Sequence, residues 1–402
     1  MKKTICLVFD DLKVGGVLTL ASETSKILLH LGYEVHILCG RNTKNDFSNY
    51  FIHIKPENFH TYRLSGGNRF IGYLEIVFLT WLHIFLIFRN RIDGFHGFMP
   101  FSYLGVLLNP LTCRTKKIYH FCGARDLELI SVHKYSNESL QLKMKLSVKL
   151  RASLLFFVQK ICMLNAKKIV AISVYSRTII EKHFNINIQK ISVIYCSVDI
   201  NFFYYRSINL KEIMGLNRNT FLLLMIQRYD PRKGFRTFLK SLSLLKKSGQ
   251  NFFAIIAGPP NWYMHSLMFY GKELGVQYNV MYLPEVSRRQ LAELYSGADL
   301  LIISSIDLET FGQTIIEAFA CKCPVVGTKI GAIPEILRQV KSYNLLVNAD
   351  EISLAQRIKK YIHSSDFIKQ QIKKEVLSVV NSKFTEAKIT QDYKDLYKDF
   401  LL

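Results

Sequence analysis

Short apolar, β-branched runs alternate with helical stretches along this chain, and the alternation runs twice. In the first half "TICLVF" leads into "VLTLASETSKILLHLG", whose apolar residues recur at helical spacing and stop at a glycine. "YEVHILCG", "IDGFHGF", "KKIYHFCG", "KKIVAIS" and "KISVIY" follow as strand candidates, with "VYSRTIIEKHF" as a helix. The periodicity lapses near "CSVDINFFYYRS", after Cys196, and then restarts. "TFLLLMI", "NFFAIIA", "NVMYL", "ADLLIISS" and "CPVVGT" each run into a loop or a helix. Strands alternating with helices predict parallel, doubly wound α/β sheets, because a parallel connection needs a crossover. Two successive sets predict two α/β domains facing a cleft, residues 1–198 and 199–384.

A length of 402 residues also exceeds one ordinary domain. The formal charge of +22 calls for an anionic partner: nucleic acid, an acidic membrane surface or phosphorylated substrates. Nucleic acid fits poorly, since the sequence has no run of five Lys/Arg and no finger-type metal motif. Most of the eight cysteines sit inside apolar runs and read as reduced core residues of a cytosolic protein. Cys321-Lys322-Cys323 has no partner pair at zinc spacing. "MKKTICLVFDD" meets acids too early for a signal peptide. "FIGYLEIVFLTWLHIFLIF", Phe70 to Phe88, is long enough to span a bilayer. Glu75 and His83 interrupt it, so a helix buried against a sheet is the simpler reading.

Chemistry-bearing residues gather after three strand candidates. In "ETFGQTIIEAFA" the acids Glu309 and Glu317 flank a helix start, with Gly312 permitting a tight backbone path. Backbone N–H groups from Thr310 to Gln313 would make an anion site at the carboxyl edge of the sheet. The competing reading is a helix with favourable acidic charge near its N-terminus. In "QRYDPRKG" Arg228 and Lys233 could grip a diphosphate, one as a fork and one as a point charge, or be ordinary surface cations. Gly15-Gly16 allows close approach of a phosphate or sugar, but lacks the dinucleotide fingerprint. His120 in "YHFCG" and Glu335 in "GAIPEIL" are further candidates; a lone histidine at a strand end is also a common structural residue.

Together "RYDPRKG", "IIAGPP", "LPEVSRRQLAELYSGADLLIISS", "ETFGQTIIEAFACKCPVVGTKIGAIPEIL" and the N-terminal "GG" before a helix resemble the retaining, nucleotide-sugar-dependent glycosyltransferases of family four, group 1. The resemblance is strongest over about Phe221 to Leu346. It implies the GT-B fold, two Rossmann-like domains facing a cleft, and a nucleoside diphosphate sugar as co-substrate. Glu317 then resembles the acid on the donor ribose and Glu309 the one on the transferred sugar. Phe311, Gly312 and Gln313 would surround sugar and phosphate, Arg228 and Lys233 would hold the diphosphate, and Gly16 would form the donor-side glycine loop. His120 would lie near the transferred sugar. The family's chemistry needs no metal or other cofactor, and no Asp-x-Asp motif is present to hold one. Gln227 and Lys322 stand where the family commonly has glycine.

The resemblance further implies a saccharide acceptor, lipid-linked as in many relatives, and surface polysaccharide synthesis of the O-antigen, capsule, exopolysaccharide or lipopolysaccharide kind. "KMKLSVKLRASLLFFVQKICML" mixes cations with large apolar residues and contains no acid. Such a segment can lie on an anionic leaflet, which would place the protein peripherally on the inner face of the cytoplasmic membrane. The other reading is a core helix with solvated lysines. The stripe Ile389, Tyr393, Leu396, Tyr397 needs a surface to cover, and the family predicts that 385–402 crosses back onto the first domain. Two rival functions share the architecture: a sugar-nucleotide epimerase and a catalytically silent membrane-associated scaffold.

Overall fold

The computed structural model describes residues 2–11, 16–41, 48–65, 69–87, 91–136 and 145–401. Val14 and Gly15 of the glycine loop, Phe88 and Lys143 lie outside these residues. The strands are β1 (Thr4–Asp11), β2 (Glu34–Arg41), β3 (Phe59–Arg63), β4 (Gly94–Gly97), β5 (Lys116–Phe121), β6 (Lys168–Ala171), β7 (Ile191–Val193), β8 (Phe221–Ile226), β9 (Phe252–Ala257), β10 (Val280–Leu283), β11 (Leu300–Ile303), β12 (Val325–Thr328) and β13 (Leu346–Val347). The first helices are α1 (Gly16–His30), α2 (Arg69–Ile87), α3 (Pro100–Leu108), α4 (Arg125–Ser136), α5 (Leu146–Leu164), α6 (Val174–Lys182) and α7 (Leu210–Ile213). They are followed by α8 (Phe235–Lys247), α9 (Trp262–Glu273), α10 (Arg288–Gly297), α11 (Gln313–Ala320), α12 (Ile333–Leu337), α13 (Glu351–Ile362), α14 (Asp366–Lys383) and α15 (Glu386–Leu401).

Internal packing divides the chain into two units. One comprises Met1–Glu128, Lys145–Ser197 and Glu386–Leu402; the other comprises Leu129–Met144 and Val198–Thr385. The first unit holds a seven-stranded sheet in the order β3-β2-β1-β4-β5-β6-β7, every pair parallel. The second holds a six-stranded parallel sheet, β10-β9-β8-β11-β12-β13. The central strands are apolar throughout because helices cover both faces: all six residues of β8 are buried, as are the first seven of β1. The order of strands reverses once in each sheet, between β1 and β4 in the first unit and between β8 and β11 in the second. Loops at the carboxyl ends of such paired strands diverge and leave a crevice.

Helix α15 packs within the first unit. Its Tyr393 hydroxyl lies 3.0 Å from Thr24 on α1, and Tyr393, Tyr397 and Phe400 are fully buried. Helix α2 buries Ile76, Thr80, Ile84 and Ile87, but Ile71, Leu74, Phe78, Leu82, Phe85 and Leu86 are each between 41% and 64% exposed. The expected burial of this helix between a sheet and its neighbours therefore holds for one face only. Its two polar interruptions are locally satisfied. Glu75 accepts from the Ser65 N–H at 2.8 Å and hydroxyl at 2.9 Å, and His83 Nδ1 donates to Leu79 O at 2.9 Å. Among the described residues no helix is long and apolar enough to cross a membrane.

Candidate functional site

In the second unit the loops after β8 and β11 flank the point where strand order reverses. They are fastened to each other. Ile306 N–H donates to Arg232 O at 2.8 Å, and the Ser304 hydroxyl donates to the Lys233 and Gly234 carbonyls at 3.1 and 3.0 Å. Gly234 has φ +71°, and a Cβ there would fall 1.9 Å from Ser304 O, so only glycine lets these backbones meet. Asp230 closes the β8 loop: it accepts from the Arg232 N–H and from its guanidinium, the shortest contact being 2.7 Å. Arg232 is thus a buried structural cation, whereas Arg228 projects into solvent.

Fastening the loops brings Lys233 and Glu309 together across 76 residues of sequence. Lys233 Nζ donates to Glu309 Oε2 at 2.7 Å, and the Ser305 hydroxyl donates to the same oxygen at 3.0 Å. Burial alone would raise the Glu309 pKa. The Lys233 ammonium and the Ser305 hydroxyl overcome it and hold the carboxyl below its ordinary range. The backbone of Glu309 is fixed as well, accepting from Ala332 N–H at 2.8 Å. Gly331, at φ +57°, lets the β12 loop approach it closely. Glu335 lies half-buried on α12, just beyond that loop.

Gly312, at φ +99°, turns the chain into α11, which has no side-chain N-cap among the described residues. Phe311 is buried with its ring 6.0 Å from that of Phe384, and Gln313 opens the helix. One turn on, Glu317 differs from Glu309 in having no cation in direct contact among the described residues. Tyr295, fully buried on α10, donates its hydroxyl to Glu317 Oε2 at 3.2 Å. Burial pushes the Glu317 pKa up to about 7, against the weaker effects of the Tyr295 hydroxyl, the more distant Arg288 charge and Gln313. Two carboxylates eight residues apart are therefore tuned in opposite directions.

Lys322 and Gln227 stand at the two positions where the family commonly has glycine, and nothing in the structure explains the choice of glutamine. Lys322 occupies the left-handed region at φ +59°, the conformation a glycine there would supply, and its ammonium sits 5.3 Å from the Tyr205 ring centroid. Gln227 extends the β8–β9 pairing, its N–H donating to Ala257 O at 3.1 Å. Cys321 and Cys323 are buried, and no metal-competent cluster occurs among the described residues.

The remaining candidates belong to the first unit. Gly16 is the first residue of α1 and is exposed; a Cβ there would meet nothing within 4 Å. His120 is fully buried near the end of β5, and its Nε2 has no hydrogen-bond partner among the described residues. Burial pushes its pKa down to about 3, so the ring is neutral. Asp10, at the end of β1, accepts from Ser102 N–H at 2.7 Å; burial raises its pKa to about 6 despite that bond.

Sequence reasoning missed Tyr295, Ser304, Ser305, Gly331 and His96, the ring beside His120. Serines at the end of an apolar strand were a usable signal for Ser304 and Ser305. Nothing local marks Tyr295 as the partner of Glu317.

Comparison with known proteins places both units. The family described as "Glycosyl transferases group 1" matches residues 207–375, and "Glycosyltransferase Family 4" matches residues 14–202. The O-antigen chain mannosyltransferase RfbU of Salmonella typhimurium is 32% identical over 195 residues, 48% of this chain and 50% of that protein. Matches to this and three other curated relatives span only 38% to 55% of those proteins' lengths. A glycosyltransferase from Rickettsia africae superposes with a TM-score of 0.74 at 22% identity, covering 100% of this chain and 99% of that one. Anabaena HepE in complex with UDP and glucose gives 0.75 at 19% identity, covering 99% and 100%. The chain belongs to the group 1, family 4 glycosyltransferases and has their GT-B fold of two Rossmann-like domains.

Proposed function

We propose that this protein transfers a sugar, with retention, from a nucleoside diphosphate sugar to a saccharide acceptor. The observation that carries the reading is the buried Lys233–Glu309 pair at the strand-order reversal, with Arg228 on the same loop as Lys233 and Glu317 one helical turn into α11. A relative crystallised with UDP and glucose supports this choice of donor class. In this reading the carbon–oxygen bond to the diphosphate breaks and the sugar becomes oxocarbenium-like. Arg228, Lys233 and the start of α11 stabilise the negative charge that gathers on the leaving group. The acceptor oxygen attacks the face being vacated, and a donor phosphate oxygen takes its proton. Glu309, already engaged by Lys233 and Ser305, positions the sugar and balances charge rather than forming a covalent intermediate. Glu317 accepts from the ribose hydroxyls. Gly16 lets the donor approach the α1 start, consistent with open space where its Cβ would be. The reaction needs no metal.

The acceptor in this reading is lipid-linked, the product a surface polysaccharide such as O-antigen, and the protein sits peripherally on the inner face of the cytoplasmic membrane. Two helices that both pack on α3 support membrane contact. On α5, Leu146, Leu150, Phe157, Ile161 and Leu164 are exposed alongside Lys145 and Lys149. On α2, every exposed residue from Ile71 to Ile87 is a large apolar one. Hydrocarbon and cations on one helical layer complement an anionic leaflet. The test is incubation with a panel of labelled nucleotide sugars, with and without lipid-linked acceptor. Acceptor-dependent release of nucleoside diphosphate and an α-linked product from an α-linked donor are expected. An altered free nucleotide sugar would indicate an epimerase, and no turnover of any donor a silent scaffold.

A further inference from the structure

The hydrogen-bond chain that ends on His120 begins on the C-terminal helix. The Tyr397 hydroxyl on α15 lies 2.8 Å from His96 Nδ1, and His96 Nε2 lies 3.2 Å from His120 Nδ1. All three side chains are fully buried. The two imidazoles are nearly coplanar, 5.2 Å between centroids and 12° between planes. Phe98 packs on both, 4.8 Å from His96 and 4.9 Å from His120, so it covers the pair and holds the two rings side by side and nearly coplanar, as an N–H···N bond between them requires. Burial holds both histidines neutral and keeps the Tyr397 hydroxyl protonated.

Counting hydrogens fixes the direction of the chain. Each neutral imidazole has one N–H and one lone pair, and the Tyr397 O–H must be given to an acceptor. Its acceptor among the described residues is His96 Nδ1. His96 then carries its hydrogen on Nε2 and gives it to His120 Nδ1. His120 in turn carries its hydrogen on Nε2, the atom left without a partner among the described residues. The reverse direction would strand the Tyr397 hydrogen in the core as well as leave His120 Nε2 unpaired. Each direction leaves one buried donor unpaired, but the reverse leaves an unpaired acceptor besides and is the costlier arrangement.

We infer that Tyr397 is a positioning residue that, through His96, sets His120 as the Nε2–H tautomer. His120 therefore presents a neutral hydrogen-bond donor to a ligand oxygen, of the kind a sugar hydroxyl supplies, and its one lone pair, on Nδ1, is engaged by His96 and faces away from any acceptor proton. The ligand assignment rests on the proposed placement of His120 beside the transferred sugar; the tautomer does not.

The experiment reads the two separately. In the full chain labelled with 15N-histidine, long-range proton–nitrogen spectra distinguish the neutral tautomers, and His120→Gln and His96→Gln assign the signals. Protonated Nε2 on both rings is expected at neutral pH. Tyr397→Phe removes only the hydroxyl and should bring the Nδ1–H form into both rings. Once a donor and acceptor are in hand, the same variant should lower kcat by up to about tenfold, the worth of one hydrogen bond, at unchanged donor Kd. His120→Gln, which keeps an N–H donor, should retain more activity than His120→Ala. An Nδ1–H His120 in the unmodified protein, or tautomers indifferent to Tyr397→Phe, would overturn the inference while leaving the transferase reading intact.

Discussion

Glu317→Gln should make the protein more stable and a poorer binder of donor. The structure gives both magnitudes. A carboxyl whose pKa rises from 4.5 to about 7 on folding costs stability whenever it is ionised, at about 1.4 kcal/mol per pH unit. The sign follows from linkage: the unfolded chain releases this proton more readily, so the penalty is complete above about pH 7 and disappears as pH falls to the unfolded value. The substituted amide has the same shape, still accepts from Tyr295, and carries no charge to desolvate. The variant should therefore gain at most about 3 kcal/mol over the parent near pH 8, and nothing near pH 4. Donor affinity should move the other way. Replacing charge-assisted hydrogen bonds to ribose with neutral ones should cost about 1.5–3 kcal/mol, or roughly 10- to 150-fold in Kd. In the parent, affinity should also rise as pH rises through about 7, since donor selects the carboxylate; in the variant that dependence should vanish. Chemical denaturation at the two pH values and calorimetry with a nucleoside diphosphate check the two halves. Equal stability differences at both pH values would refute the burial argument, and an unchanged Kd would refute the ribose role.

Lys233→Ala leaves the Glu309 carboxylate buried with Ser305 as its remaining side-chain donor among the described residues and Arg232 at longer range, and should cost about 3–5 kcal/mol by urea denaturation at neutral pH. Lys233→Ala with Glu309→Gln should recover more than half of that, and the single variant's deficit should shrink in acid as Glu309 protonates. Vesicle co-sedimentation should show binding to anionic lipid that weakens on charge reversal of Lys145, Lys149 and Arg151. Any binding that persists in high salt should be removed by Leu74→Ser with Phe78→Ser; binding insensitive to all five changes would take α5 and α2 out of the account.

The elements that could be read from sequence were those with strong one-dimensional patterns. β1, β8 and β11 are continuous apolar runs because both their faces are covered, and α8 stripes its apolar residues at helical spacing. β3, "FHTYR", is short and polar-rich, β13 is two residues long, and α3 begins at a proline inside an apolar stretch; none has a periodicity that separates it from loop. The acids, cations and glycines of the donor loops were legible because their spacing within each loop is local. Their partnerships were not. Tyr295 meets Glu317 from another helix, Ser304 meets the Gly234 carbonyl across 70 residues, and His96 meets Tyr397 across 301. Such pairings are set by strand order and helix docking, which a single sequence does not display.

The return of α15 to the first unit has a consequence for how the protein is made. Synthesis runs from the amino terminus, and domains ordinarily fold in that order as they emerge. Here the leading unit lacks helix α15, and with it three fully buried aromatic side chains, until residues 386–401 are translated. The trailing unit is complete at Thr385, before any of α15 has been added. The later half of the message thus encodes the half that can finish first. Until α15 has been made, the earlier half must keep the sheet face that it will cover from finding some other apolar surface.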